Sequence, residues 1–274
     1  MSDTSQEADQ VAEKLRHWRQ GDYACDVGGF LFAEVAEESG SFDARESTDQ
    51  LAGLVVISQT CDIVRLTDDK QFVSVCPLMV PTNRSEKEIA AGYFPSLTVL
   101  EHPPASGMYV DLGRIMSVSK RLLASWERRD GFTSQDRAIR FAGAIERKMG
   151  RFAFPDDFDL ATKPFQKRVR ERHNKADSPV GRIYRSLDQL RFLAFPDWDA
   201  EAVEVTLIGV LAPDSNRPAT EQEINAELAQ VCTSVQWPPK YKWTQPSFFI
   251  GVAEDLRGSD ILTSQLADFE YLSS

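Results

Sequence analysis

Residues 53–64 read Gly-Leu-Val-Val-Ile-Ser-Gln-Thr-Cys-Asp-Ile-Val, and residues 71–79 read Gln-Phe-Val-Ser-Val-Cys-Pro-Leu-Met. Each stretch holds a short run of β-branched and other apolar residues, which is typical of a buried strand. The connection between the two runs is polar, so the pair predicts two neighbouring strands at the centre of a sheet. The first run ends beside one thiol and one acid, Cys61 and Asp62, which are the first candidates for chemistry.

The composition bounds the class of protein. The chain has 274 residues, enough for one large domain or two ordinary ones, and 42% of them are hydrophobic, so a sizeable core can form. No apolar run approaches the roughly 20 residues of a membrane helix, and the polar first ten residues do not resemble a secretory signal. We therefore expect a cytoplasmic protein with no membrane partner.

The cysteines and the absence of known motifs argue against a metal or a cofactor. The four cysteines stand alone, without a Cys-x-x-Cys pair, which favours reduced thiols over a disulfide framework or a zinc site. The sequence contains no Walker A loop, no Gly-x-Gly-x-x-Gly and no His-Glu-x-x-His. We expect no metal and no cofactor.

Charge is distributed unevenly along the chain. Residues 1–113 carry 8 basic and 19 acidic side chains, residues 114–191 carry 19 basic and 10 acidic, and residues 192–274 carry 4 basic and 13 acidic. The net charge of −11 therefore hides a basic middle between two acidic ends. Such asymmetry is compatible with a polyanion partner, an acidic protein partner, or helices whose basic faces are simply solvated.

Apolar periodicity predicts an α+β protein. Strand patterns dominate up to about residue 119, interrupted by a polar stretch over 37–50 that reads as a loop. Beyond Gly131 helical patterns prevail before further strands, and Ser178-Pro179 predicts the start of a helix that runs to about Leu193. The predicted parts are an N-terminal helix (1–20), a β domain (21–132) and an α+β domain with basic helices (133–274).

The β domain carries an ordered set of short motifs. Gly21-Asp22 opens a strand, an acidic loop follows, Leu54–Ser58 is a strand that ends in Ser, and Val73–Pro77 is a strand that ends in Pro. The segment Val110–Leu122 then supplies an Ile, a Lys and a Leu. In this order the motifs resemble the MazF/PemK-like toxin family over residues 20–130. The resemblance implies an SH3-like β-barrel, a homodimer, and a place in bacterial toxin–antitoxin or defence loci.

The chain departs from that family at both positions that carry its ribonuclease chemistry. The family has an Arg just before the Ser-ending strand, whereas residues 51–54 read Leu-Ala-Gly-Leu and the nearest upstream arginine is Arg45. The family has a Thr or Ser two residues after the Pro, whereas Pro77 is followed by Leu78 and Met79. Leu and Met can neither stabilise charge on a transferring phosphate nor move a proton. We therefore expect a non-catalytic, protein-binding regulatory component; a sequence-specific endoribonuclease with relocated catalytic residues is the alternative.

Cys61 and Asp62 are the candidate catalytic residues if the chain is an enzyme. A nucleophilic thiol needs a lowered pKa and a nearby base. The three histidines, His17, His102 and His173, stand in no recognisable cysteine-hydrolase context. The alternative is a buried thiol at the end of a strand, with Asp62 bonded to turn amides.

The basic middle of the chain supplies the candidate binding residues. They are Arg137, Arg140, Arg147, Arg151, Lys167, Arg168, Arg170 and Arg172. If their helix faces converge, they could hold a nucleic acid or an acidic protein, and Phe152, Phe154 and Phe158 could either stack bases or pack in the core. We expect a protein partner first, such as an effector, a protease, a nuclease or a transcription factor, with nucleic acid as the second candidate.

Overall fold

The computed structural model of the chain describes residues 2–35, 42–67, 70–80, 85–90, 94–150, 152–173, 175 and 177–267. The chain divides into two compact units, Met1–Gly150 and Arg151–Ser274, each with its own sheet. Both units combine helices with mainly antiparallel strands, which confirms the α+β class. Among the described residues, no helix is long and apolar enough to cross a membrane.

The first unit has a six-stranded sheet and a separate hairpin. Its helices are α1 (Ser2–Leu15), α2 (Thr60–Val64), α3 (Glu86–Ala90), α4 (Lys120–Ser125) and α5 (Gln135–Gly150). Its strands are β1 (Tyr23–Ala24), β2 (Phe30–Val35), β3 (Phe42–Ser47), β4 (Leu51–Val56), β5 (Phe72–Met79), β6 (Leu97–Thr98), β7 (Tyr109–Asp111) and β8 (Met116–Ser119). The sheet order is β1-β4-β5-β7-β6, β8 also pairs with β5, and β2 pairs with β3.

Strand β4 is buried on both faces. Val56 enters an apolar cluster with Trp18, just after α1, whereas Val55 enters a second cluster with Phe141 of α5. Successive side chains of a strand point to opposite faces, so burial of both faces requires an unbroken apolar run. This explains why residues 54–57 are Leu-Val-Val-Ile rather than an alternation of apolar and polar residues.

The six-stranded sheet does not close on itself within the described residues, since β1 and β6 at its two ends are not paired with each other. The SH3-like barrel therefore stays a prediction. The compact units divide at 150/151, whereas the sequence placed the boundary at 132/133. The difference arises because Phe141 and Ala144 of α5 pack into the core of the first unit.

The second unit contains a four-stranded sheet and several helices. Its helices are α6 (Asp156–His173), α7 (Pro179–Arg185), α8 (Glu221–Ser234) and α9 (Gly258–Thr263), with a 3-10 turn at Asp214–Asn216. Its strands are β9 (Leu187–Phe195), β10 (Val203–Leu211), β11 (Tyr241–Val252) and β12 (Gln265–Leu266), in the order β11-β10-β9-β12. β10 and β11 are parallel, and the other pairs are antiparallel.

Two predictions of local structure are wrong. The polar stretch 37–50 contains β3, whose backbone pairs with β2 although three of its six side chains are charged. The helix predicted to reach Leu193 ends at Arg185, and β9 follows at once. In both places pairing with another strand overrides the local sequence pattern. β3 pairs with β2, and β9 pairs with β10 from Leu187 to Phe195.

We expect the substitution Val56→Asp to unfold the first unit. Val56 is fully buried, so an aspartate would place an unpaired carboxylate in the central strand, at a cost of about 4 kcal/mol or more. The matched control is Val35→Asp on β2, where the side chain is 66% exposed and the expected change is within about 0.5 kcal/mol. Urea unfolding followed by circular dichroism checks both variants. Equal midpoints for the two variants would contradict the burial of β4.

Candidate functional site

A buried lysine holds the turn that carries Cys61 and Asp62. Lys120, the first residue of α4, is 0% exposed. Its ammonium donates hydrogen bonds to the carbonyl oxygens of Asp62 and Arg65, at the end of α2. The last carbonyls of a helix lack intrahelical partners and carry the negative end of its dipole. A cation there stabilises the helix both by donating hydrogen bonds to these carbonyls and by its favourable interaction with the dipole. The position of α2 therefore depends on α4.

Three further hydrogen bonds fix the chain just before α2. The backbone N–H of Gln20 donates to Thr60 Oγ1 at 3.1 Å, and its side-chain amide donates to the carbonyl of Ile57 at 2.7 Å. The hydroxyl of Ser58 accepts a hydrogen bond from the backbone N–H of Ser74 at 2.8 Å. The turn is thus attached to Gln20 in the connection that follows α1 on one side and to β5 on the other.

Cys61 is exposed rather than buried. Its Sγ lies 3.6 Å from Gln59 Oε1, and no histidine hydrogen-bonds to it among the described residues. Asp62 forms an ion pair with Lys70, which holds the pKa of the Asp62 carboxyl below its usual range. Asp62 is therefore engaged with a cation and is not placed to act as a base on the thiol. Within the part of the chain that the structure describes, the arrangement presents an accessible thiol on a firmly held turn, and no base of the kind that nucleophilic catalysis requires is hydrogen-bonded to it.

The positions that the family resemblance assigns to catalysis lie side by side. Across the ladder between β4 and β5, Leu51 pairs with Met79 and Gly53 pairs with Leu78. Leu78 and Met79 are buried, so this place is part of the apolar core. The structure brings the two positions together but fills them with groups that carry neither charge nor a transferable proton.

A cation from the connection between β7 and β8 contacts Met79. Arg114 donates through Nη2 to Met79 Sδ at 2.9 Å and through Nε to Asp111 Oδ2 at 2.9 Å. Arg45, the arginine upstream of β4 in the sequence, lies on the exposed hairpin, 3.7 Å from Glu34. Sequence reasoning missed Arg114 because its proximity to Met79 depends on the pairing of β5 with β7.

The eight predicted binding residues belong to different units. Arg137, Arg140 and Arg147 lie on α5 of the first unit, and Arg137 is 3.9 Å from Glu101. Four others lie on α6 of the second unit: Lys167, Arg168, Arg170 and Arg172. Arg151 lies outside the described residues.

Arg168 has a structural role. Its guanidinium donates to both carboxylate oxygens of Glu227, at 3.1 and 3.2 Å, and to Gln230 Oε1 at 3.0 Å. The hydroxyl of Tyr184 also donates to Glu227, at 2.8 Å. Glu227 is only 7% exposed, and a buried carboxylate needs such partners. Arg168 therefore neutralises Glu227 between α6 and α8 and is not available to a ligand.

The phenylalanines that could stack bases instead pack against one another. Phe158 is 1% exposed, and its ring centroid lies 5.0 Å from that of Phe154, 5.1 Å from Phe192 and 4.8 Å from Trp198. Phe152 contacts the same cluster at 5.1 Å from Phe154. Such distances and edge-on angles are those of an aromatic core. The core interpretation of these rings is confirmed.

We expect Lys120→Met to destabilise the first unit by about 3 kcal/mol. Removal of the ammonium leaves the carbonyl groups of Asp62 and Arg65 without this donor, and an unsatisfied buried acceptor costs about 1–3 kcal/mol. Urea unfolding gives the free energy, and hydrogen exchange of the α2 amides should accelerate as well. The control is Lys87→Met on exposed α3, which should change neither. Unchanged exchange at α2 in Lys120→Met would contradict the contact.

Of the four thiols, we expect only Cys61 to react rapidly with an aromatic disulfide at pH 8. Burial raises the pKa of Cys76 to about 12 and that of Cys232 to about 11, so both stay protonated and shielded. Cys25 is half-buried, and desolvation raises its pKa too. Stopped-flow absorbance should show one fast phase that the variant Cys61→Ser lacks. A fast phase that persists in Cys61→Ser would contradict the exposure pattern.

Comparison of the chain with models of known protein families found no match. Comparison with curated proteins also found none. The resemblance to the MazF/PemK-like family therefore rests on the sequence motifs alone.

Proposed function

We propose that this chain is a non-catalytic, protein-binding regulatory component of a bacterial defence or toxin–antitoxin-type stress response, built on a degenerate MazF-like, SH3-like barrel domain. The resemblance of residues 20–130 supports the setting and the cytoplasmic location. The apolar pair Leu51 and Met79 supports the loss of the family's nuclease chemistry, because it occupies the place where the resemblance expects charged or hydroxyl groups.

The observation that carries the protein-binding role is the β2–β3 hairpin. The hairpin stands apart from the six-stranded sheet, and the described residues place no further strand beside it. Leu31, Phe32 and Val35 on β2 are 53%, 42% and 66% exposed. One contact to the sheet is the backbone N–H of Leu31, which lies 3.1 Å from Met116 Sδ.

A two-stranded hairpin with exposed apolar side chains is a surface that a partner would stabilise. Isolated hairpins are marginal in water, and unpaired strand edges offer backbone donors and acceptors to an extended chain. The apolar residues of β2 would bury side chains of that chain, while Asp43, Arg45 and Glu46 on β3 would set its charge pattern. The partner that fits is a different protein whose extended segment adds a strand to the hairpin.

The alternative function is an endoribonuclease with relocated catalytic residues. The observation that favours it is Arg114, whose guanidinium lies against Met79 at the place where the family chemistry would occur. Arg114 is paired with Asp111, however, and that carboxylate would repel a phosphate. The neutralised arginine makes cleavage the weaker proposal.

We expect the hairpin variant Leu31→Lys/Val35→Lys to lose a protein partner that wild type retains. Tagged wild-type and variant proteins would be incubated with lysate of the source organism, and the captured proteins quantified by mass spectrometry. The control Leu160→Lys/Leu262→Lys makes the same chemical change at side chains that are 61% and 84% exposed in the second unit. If wild type, the hairpin variant and the control variant all recovered every captured protein in equal amounts, the role of the hairpin would be contradicted.

We also expect no cleavage when purified protein is incubated with a long single-stranded RNA. The reference variants are Cys61→Ala/Asp62→Ala and Arg114→Ala, and denaturing gels with primer extension would locate any cut. Specific cleavage by wild type that Arg114→Ala abolishes would replace the proposed function by the nuclease. Cleavage lost only in Cys61→Ala/Asp62→Ala would move the chemistry to the α2 turn.

A further inference from the structure

We propose that the corner between α6 and α7 binds the phosphate backbone of a nucleic acid, without sequence specificity. This basic corner consists of seven exposed side chains: Lys163, Lys167, Arg170, Arg172, Lys175, Arg182 and Arg185. The proposal concerns the second unit and is independent of the hairpin in the first.

The two helices bring these side chains into one region. A Cβ added at Gly181 of α7 would fall 1.9 Å from the carbonyl oxygen of Lys175 and 3.0 Å from that of Arg172, so the end of α6 and the start of α7 are in close contact. Arg185 lies close enough to His173 for its charge to lower the pKa of that imidazole, in addition to the larger effect of burial. The cations of α7 therefore adjoin the C-terminal end of α6.

The remaining cations form a stripe along α6. The buried side of this helix is formed by Phe158, Thr162, Phe165, Val169 and His173. Lys163, Lys167 and Arg170 follow one another at spacings of four and three residues, and this stripe lies on the opposite side of the helix. At about 1.5 Å of rise per residue, it extends for roughly 10 Å and leads toward the corner.

Most cations of the basic corner lack the carboxylate partners that other cations of the chain have. In the described residues Lys167 pairs with Glu171, whereas no ion pair engages the other six side chains of the basic corner. Elsewhere Arg128 pairs with Asp22, and Arg217 with Asp214 and Glu221. In a chain with 42 acidic and 31 basic side chains, carboxylates are in excess. Six neighbouring unpaired cations on such a chain are a surface suited to an external anion.

The composition of the surface favours nucleic acid over an acidic protein. From residue 163 to 185, the exposed side chains in the described part are the seven cations, the acids Glu171 and Asp177, and the prolines Pro164 and Pro179. Protein interfaces usually have an apolar or aromatic centre, whereas the only apolar members of this set are the two prolines. The exposed Leu160 lies one turn before Lys163, at the end of the stripe that is away from the corner. Binding to a phosphate backbone needs only positive charge, and four of the seven cations are arginines, whose fork-shaped guanidinium matches phosphate oxygens.

The acidic groups near the corner limit its strength but do not neutralise it. Glu171 is occupied by Lys167 at 3.8 Å, Asp177 is exposed, and Glu223 at the start of α8 feels the charge of Arg182. Against these three carboxylates stand seven cations. We expect weak binding that depends strongly on salt.

The experiment measures fluorescence anisotropy of a labelled 20-nucleotide single-stranded RNA, and of a labelled duplex DNA, from 50 to 200 mM salt. The corner variant is Lys163→Gln/Arg170→Gln/Arg182→Gln/Arg185→Gln. The matched control, Arg16→Gln/Arg65→Gln/Lys87→Gln/Arg121→Gln, removes the same charge from exposed residues of the first unit. Thermal melting should show that both variants stay folded.

We expect wild type and control to bind at least one of the two nucleic acids at 50 mM salt, with the corner variant at least tenfold weaker. The slope of log K against log salt should become less negative by about 3 in the corner variant, because each phosphate contact contributes about −0.7 to −0.9. Equal weakening of the corner variant and the control would overturn the proposal. The proposal would also be overturned if wild type bound neither RNA nor DNA. It would likewise be overturned if the corner bound labelled polyglutamate in place of the two nucleic acids.

Discussion

The burial of the Lys120 ammonium is the interaction on which the first unit depends. A charged amine without partners is very costly in an apolar interior, so this lysine can be buried only where fixed acceptors meet it. The carbonyl groups of Asp62 and Arg65 supply them, and they belong to a helix of only five residues that has little stability of its own. The backbone N–H of Lys120 donates to the carbonyl of Gln71 at 2.9 Å, which continues the ladder between β5 and β8. One residue thereby sets both the end of that ladder and the position of α2.

The fold could be predicted from the sequence where burial imposes a pattern. β4 and β5 are apolar on both faces, so their positions follow from the runs themselves. The Thr-x-x-Glu pattern at Thr220 and Glu223 likewise forms a capping box at the start of α8. β3 and β9 could not be found in this way, because their existence depends on strands elsewhere in the chain. The same holds for Arg168: a single sequence shows a basic helix but not the buried Glu227 that one of its arginines neutralises.

The candidate site was only partly visible in the sequence for a related reason. Cys61 and Asp62 stand out because thiols and acids are chemically distinctive, and the structure does place Cys61 at the surface. What decides their role lies far away in the chain, in Lys70 and Lys120. A lysine is normally read as a surface residue, so nothing in its sequence context predicts that Lys120 is buried. Likewise the side-by-side arrangement of Leu51 and Met79 required the β4–β5 register, although the loss of the family residues was evident beforehand.

Some cations of this chain satisfy buried groups and others face solvent. This difference decides which of them can bind a partner, whereas the net charge does not. Lys120, Arg128 and Arg168 satisfy buried acceptors or carboxylates, so they contribute to stability and offer nothing to a partner. The cations of the basic corner face solvent, and the net charge of −11, which is that of the whole chain with these cations included, repels a polyanion only at short range. Screening at physiological salt reduces interactions beyond about 8 Å, so the repulsion from distant carboxylates is weak at the corner, while direct contacts are retained. An acidic protein can therefore carry a basic surface, provided that cations outnumber carboxylates locally, as they do along the stripe from Lys163 to Arg170, where Glu171 pairs with one of the three cations, Lys167.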